Sequence, residues 1–270
     1  MLVYLLLFCI AVLLLLYIYA NRCRKGHPGL QNLQGWNYAH RGLHGNGIPE
    51  NSMAAFRAAL DAGYGIELDI HLLKDGNLAI IHDSSLKRTT GCDGCIEDLT
   101  TQDLLLYHLE GTEETIPTFQ ELLDLYTGKA PLIVELKAEK GNHAALAEAA
   151  CAMLEAYPGV YCLESFDPRC IYWLKKHRPH LIRGQLSEKF TKSNCDLPLY
   201  LRICLTHNLG NFLTLPDFTA YKFTDRKNPA VWICRKIWGA QGVSWTLKTQ
   251  EDHVTALNEG WLSIFEGFRP

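Results

Sequence analysis

Between Ile66 and Ile70 the sequence reads IELDI, and two acidic residues two positions apart inside so apolar a run restrict the fold more than any other feature of the chain. Side chains alternate along a strand, so Glu67 and Asp69 share one face while Ile66, Leu68 and Ile70 share the other. On a strand buried on both faces, the two carboxylates repel each other and lose hydration, at several kcal/mol, unless a cation lies between them. A hard divalent ion with oxygen ligands, Mg²⁺ or Ca²⁺, is the simplest remedy.

The flanking sequence supplies groups that move protons. A strand-like run from Trp36 to His40 stops at Arg41-Gly42, and a glycine-rich loop continues to Pro49. Asn51 or Ser52 caps the next helix, on which Met53, Phe56, Ala59 and Leu60 recur at helical spacing before Gly63 closes it. After the turn at Lys74-Asp75-Gly76, the run Leu78 to Ile81 leads to His82-Asp83, so a second imidazole reaches the rim where Glu67 and Asp69 end. Cleaving a phosphodiester needs one group to take a proton from the nucleophile and another to give one to the departing alkoxide. Histidine, with a reference pKa of about 6.5, suits both tasks, and His40 and His82 are the natural pair. The apolar run Pro131 to Lys137 repeats the alternation, with Glu135 as a third carboxylate and Lys137 as an ammonium for the non-bridging phosphate oxygens. Arg41 offers planar donors for the same oxygens, or else a salt bridge fixing the rim. Glu50 is expected beside the site, and Asn51 is expected as a helix cap rather than a substrate contact.

The motifs HRG, PENS, ELDI, KDGNLAIIHD, LKRTTG, IPTFQELL and VELK, in that order from His40 to Lys137, resemble the glycerophosphodiester phosphodiesterase family; farther on only SFDP, RGQL and VSWT do. The resemblance implies a TIM-type (β/α)8 barrel and hydrolysis of a glycerophosphodiester to an alcohol and glycerol phosphate. It also implies one divalent cation on Glu67, Asp69 and Glu135, with His40 and His82 as the acid-base pair. Trp245 in the VSWT motif either walls the pocket against the alcohol or is a core residue. Two places depart from the family pattern: Lys248 stands where asparagine is common, and Phe265-Glu266-Gly267 replaces a threonine-aspartate. Both bear on alcohol specificity.

Strand-like runs alternate with helical ones along the remaining chain, near residues 159–166, 181–186, 218–223, 242–247 and 261–265, which argues for parallel βαβ units. Closure at eight strands rests on the resemblance. So does the small insertion at about 83–116 over the barrel mouth, where Leu99 to Leu109 has apolar residues at helical intervals. Chemistry in such barrels sits at the C-terminal strand ends.

Leu2 to Ala20 carries no charged side chain and as a helix is about 28 Å long, close to the hydrocarbon thickness of a bilayer. No Lys or Arg precedes it and no small-x-small site follows, so a membrane helix is favoured over a cleaved signal peptide. Tyr17 and Tyr19 suit the interface, and Arg22, Arg24 and Lys25 hold the following residues in the cytoplasm by the positive-inside rule. The expected layout is a single-pass helix at 1–21, a juxtamembrane linker at 22–35 and the barrel at 36–270. A net charge of −3 argues against nucleic-acid binding. The ten cysteines are scattered apart from Cys92-x-x-Cys95, read as two thiols in a loop rather than half a zinc site or a redox pair. The substrate expected is a small phosphodiester; lysophospholipase D-like action on a membrane lysophospholipid and an inactive membrane-tethered binding barrel stand as alternatives. The sequence carries no sign of an oligomeric state.

Overall fold

A computed structural model describes residues 1–193 and 195–270. Eight parallel strands close on themselves: β1 (Asn37–His40), β2 (Gly65–Leu72), β4 (Leu132–Leu136), β5 (Tyr161–Ser165), β6 (Arg183–Ser187), β7 (Phe218–Lys222), β8 (Gln241–Leu247) and β9 (Trp261–Phe265). β1 pairs with both β2 and β9, which completes the ring. The short β3 (Leu78–Ile80) lies outside the ring as the antiparallel arm of a hairpin with β2. The helices are α1 (Leu2–Ala20), α2 (Met53–Asp61), α3 (Lys87–Thr90), α4 (Phe119–Tyr126), α5 (His143–Leu154), α6 (Pro168–His177), α7 (Leu199–Thr206), α8 (Asn211–Thr214), α9 (Pro229–Trp232) and α10 (Gln250–Asn258).

Period-two alternation sorts the strand side chains into two sets. Ile66, Leu68, Ile70, Leu132, Val134 and Leu163 face outward and form the main core with Phe56, Phe119, Leu146 and Leu174 on the helices. Inside the ring, Tyr38, Ile133, Cys162, Phe218, Val243 and Leu262 make an apolar lower layer. The interior is tight: a Cβ added to Gly184 would fall 2.0 Å from the Phe218 ring, so β6 is glycine where that ring crosses the barrel. Above this layer the same alternation delivers His40, Glu67, Asp69, Glu135 and Glu164 at the C-terminal strand ends.

Two expectations change. Residues 22–35, expected as a juxtamembrane linker, pack against the base of the barrel. Pro28–Leu33 is a 3-10 turn whose Leu33 is buried and accepts the Tyr38 hydroxyl at 2.7 Å. Arg24 grips both oxygens of the fully buried Asp217, each at 2.5 Å, and donates to the Leu181 carbonyl at 2.8 Å, so it is unavailable to lipid headgroups. In the insertion, the helix expected at Leu99 to Leu109 is only a 3-10 turn, Asp103–Leu106. Leu104 and Leu109 are buried under the β2–β3 hairpin, while Leu105 and Leu106 point to solvent, so the spacing that suggested a helix has no continuous buried stripe behind it.

α1 is long and apolar enough to cross a membrane, and none of its residues is buried in the barrel. Its C-terminal end is fixed to the outer wall: Tyr17 bonds His207 Nδ1 at 2.8 Å, and Trp238 donates to the Ile18 carbonyl at 2.8 Å.

Candidate active site

Glu67, Asp69 and Glu135 come together as the alternation requires. Each offers an oxygen within 4.8 Å of the others, and all three are buried. Burial, reinforced by Asp69 and Glu135, pushes the Glu67 carboxyl well above its usual range. Burial likewise lifts Glu135 to about 7, against the pull of Lys137. Burial alone would raise Asp69 too, but Lys137, His82 and Arg41 outweigh it and hold Asp69 well below the carboxylate range. Lys137 Nζ lies 3.1 Å from Glu135 and 3.6 Å from Asp69.

This donor set fits a hard divalent cation. Asp69 Oδ1 is buried without a hydrogen-bond partner among the described residues, and so is Glu164 Oε2 on the neighbouring strand. Three oxygens confined to so small a space, with one acceptor unsatisfied, form an incomplete shell of the type Mg²⁺ or Ca²⁺ takes. On the donor side, the buried Nε of Arg41 makes no hydrogen bond among the described residues and forms an ion pair with Asp69 at 3.5 Å.

Each histidine is held by a carboxylate on Nδ1 and turns Nε2 inward. His40 Nδ1 donates to Glu266 at 2.8 Å, and its Nε2 is 3.9 Å from Glu67. His82 Nδ1 donates to Asp83 at 2.6 Å, and its Nε2 accepts from Lys137 at 3.2 Å. Burial lowers the pKa of both rings; Glu266 partly restores that of His40, and Asp69 that of His82. Burial thus favours the neutral form of both rings; Nε2 of His40 faces Glu67, and that of His82 is engaged by Lys137.

The backbone turns left-handed at Arg41 (φ 54°), so its side chain bends back over the mouth and its N–H reaches Glu67 at 3.2 Å. Its guanidinium bonds Glu50 at 2.9 Å, and Glu50 also holds Arg88 at 2.7 Å. Trp245 lines the cavity with Phe166 and Leu186, and its ring meets Phe166 edge-on at 5.6 Å. The cavity between these groups is small, about 40 Å³. A groove of about 610 Å³ between α6 and α8 is larger, but it lies on the outer helices away from the carboxylates, so the chemistry and not the size identifies the site.

Three roles were misread or missed in the sequence. Ser52 caps α2, while Asn51, expected as a cap, donates to Asp69 Oδ2 at 2.9 Å. His71, the residue after IELDI, is fully buried; it bonds Glu97 at 2.6 Å and the His82 carbonyl at 3.2 Å, tying the insertion to the backbone that carries His82. Glu266, in the sequence a departure from the family pattern that bears on specificity, has a different place in the structure. It is the carboxylate on His40, and the hydrogen bond from His40 holds it at about 2. Cys92 and Cys95 are free thiols, Cys92 exposed.

The sequence profile of the glycerophosphoryl diester phosphodiesterase family matches residues 40–261. A glycerophosphodiester phosphodiesterase of Bacillus altitudinis is 42% identical over 107 residues, 37% of this chain and 43% of that protein. One from Caldanaerobacter subterraneus is 34% identical over 158 residues, 55% of this chain and 65% of that protein. The chain thus matches less than two thirds of the length of either relative. A lysophospholipase D of Homo sapiens is 28% identical over 197 residues, 65% of this chain and 54% of that protein. Among solved structures, a phosphodiesterase of Oleispira antarctica in complex with the product sn-glycerol-3-phosphate superposes with a TM-score of 0.72 at 23% identity, over 87% of this chain and 94% of that one.

Proposed function

The chain belongs to the glycerophosphoryl diester phosphodiesterase family, and from that premise we propose that it hydrolyses glycerophosphodiesters to an alcohol and glycerol phosphate, with a divalent cation and two histidines. The observation that carries this reading is the approach of Glu67, Asp69 and Glu135 to within 4.8 Å of one another, between two imidazoles that each present Nε2.

Glu67, Asp69 and Glu135 would hold the cation, with Asn51 fixing the rotation of the Asp69 carboxylate. When bound, Mg²⁺ or Ca²⁺ supplies Lewis acidity that draws charge from the phosphoryl oxygens. Lys137 and the free Nε of Arg41 neutralise the non-bridging oxygens from the protein side. One imidazole takes the proton of the attacking water or hydroxyl at Nε2, and the other returns a proton to the leaving alkoxide. Glu266 and Asp83 accept from Nδ1–H of each ring, which aims Nε2 at the substrate, and they stabilise the imidazolium: the base becomes one on taking the proton, and the acid starts as one and gives up its Nε2 proton. Trp245 and Phe166 wall the side on which the alcohol leaves.

α1 is read as a membrane span with the barrel on the cytoplasmic side, Arg22 and Lys25 remaining as flanking charges. This anchor and the aromatic wall favour a second substrate class, the lysophospholipids, consistent with the name of the human relative. A binding barrel without activity has no use for two oriented proton-transfer groups.

Glycerophosphocholine and lysophosphatidylcholine, each assayed with added Mg²⁺ or Ca²⁺ and with chelator, test the reading. His40→Ala and His82→Ala are each expected to abolish turnover without lowering the melting temperature. Metal-independent activity, or turnover surviving in either variant, contradicts it; no hydrolysis of any diester by the wild type supports the binding barrel.

A further inference from the structure

α7 is turned inside out. Its one charged side chain, Arg202, folds inward to donate to the Phe190 carbonyl at 2.7 Å and the Ser193 carbonyl at 2.9 Å. Its apolar side chains point outward: Leu199 and Tyr200 are each 66% exposed, Ile203 is 42% exposed, and Leu197 just before the helix is exposed as well. A helix on a water-facing surface has the opposite arrangement, so this face is built to be covered.

Two observations identify the cover. His207, the residue that ends α7, is the one that receives the Tyr17 hydroxyl, so α7 terminates where α1 leaves the wall of the barrel. Beside that same end runs a groove of about 310 Å³ walled by Lys189, Lys192 and Lys227; its one carboxylate among the described residues, Asp225, accepts from the Lys189 backbone N–H at 3.2 Å. An outward apolar stripe joined to a lysine groove and to an apolar helix long enough to cross a bilayer is complementary to an anionic lipid interface, apolar below and negatively charged above.

α7 also lies at the catalytic end of the barrel. Ser187, the last residue of β6, donates to the Leu205 carbonyl at 2.7 Å, and Tyr221 near the end of β7 donates to the Thr206 carbonyl at 2.9 Å. Phe190, in the loop leading to α7, meets Phe166 of the cavity wall edge-on at 5.9 Å. Leu105 and Leu106 of the insertion, which follows the β2–β3 hairpin, are exposed as well.

We propose that the outer face of α7, with the lysine groove beside it, is a docking surface for an anionic lipid bilayer that lays the barrel mouth toward the headgroups. The inference rests on reading α1 as a span, and hydrogen exchange separates the two. The full chain is placed in nanodiscs of phosphatidylcholine, alone or mixed with phosphatidylglycerol, and compared with a variant carrying Leu199→Gln, Tyr200→Gln and Ile203→Gln. The expected result is that amides of 197–207 exchange several-fold more slowly in the wild type than in the variant, most of all with phosphatidylglycerol. The extra protection from phosphatidylglycerol should vanish with Lys189→Gln, Lys192→Gln and Lys227→Gln. Peptides from β2 and β4 report that each variant is folded. Protected α1 amides with equal exchange of 197–207 in wild type and variant overturn the docking surface alone; freely exchanging α1 amides overturn the span and the docking with it. Protection of 197–207 that persists in detergent and grows with protein concentration overturns it in favour of a second copy of the chain, and phosphatidylglycerol protection indifferent to the lysines overturns the choice of an anionic surface.

Discussion

Glu266→Gln separates the two histidines. In the wild type the His40 Nδ1–H meets an ionised carboxylate at 2.8 Å, in a site where the Glu266 side chain is only 25% exposed. Glutamine keeps the shape and an accepting oxygen but loses the charge. A hydrogen bond to a charged partner is worth about 1.5–3 kcal/mol and one between neutral partners about 0.5–1.5 kcal/mol. The His40 imidazolium that forms during turnover therefore loses about 1–1.5 kcal/mol of stabilisation, or about five- to tenfold in kcat/KM. The sign of the pH effect follows from the same contact. Glu266 raises the pKa of His40, so its neutralisation lowers that pKa further. If His40 is the base, the acid limb of the pH profile of kcat/KM moves to lower pH; if it is the acid, the alkaline limb does. The assay is the profile of wild type and variant on glycerophosphocholine at saturating metal, and the limb that moves assigns the roles. Wild-type activity with neither limb displaced would refute a proton-transfer role for His40 supported by Glu266.

Glu67→Gln should weaken metal affinity in a calorimetric titration while raising the melting temperature of the metal-free protein, because burial and two neighbouring carboxylates already press against its ionised form; unchanged affinity contradicts the ligand assignment. Asn51→Leu leaves Asp69 Oδ2 without its 2.9 Å donor, and a cost of about 1–3 kcal/mol should appear in denaturant unfolding together with weaker metal binding; loss of neither means the contact is incidental. Arg24→Ala strands the fully buried Asp217 carboxylate and should destabilise the barrel by about 3 kcal/mol, several degrees in a thermal melt, with kcat nearly unchanged in the protein that remains folded.

Residues whose position follows from alternation were legible in the sequence. Glu67, Asp69 and Glu135 had to share a face once their strands were recognised, and parallel pairing of β2 with β4 puts Asp69 directly opposite Glu135. His82 was legible because a tight hairpin brings it back to the end of the strand it left. Glu266 was not, because 226 residues separate it from His40 and only ring closure between β1 and β9 makes them neighbours. Asn51 was misread because its chemistry equally suits a cap; the left-handed backbone at Asn51 (φ 51°) frees its amide and passes the cap to Ser52. The insertion misled for a different reason. Leu105, Leu106 and Leu109 satisfied a helical period, yet Leu105 and Leu106 face solvent, and Leu109 is buried with Leu104 against the β2–β3 hairpin and not on a helix face.

The floor built from residues 24–33 bears on where this protein can be cut. Arg24 clamps the entries to β6 and β7, and Leu33 seals the base under Tyr38. A form trimmed at Trp36, where the strands begin, would lose its bottom plate along with the apolar helix. Cleavage just after Ala20 would keep the plate and give up only the Tyr17–His207 and Trp238–Ile18 contacts on the outer wall, so the sensible seam lies at the end of the apolar helix and not at the start of the barrel.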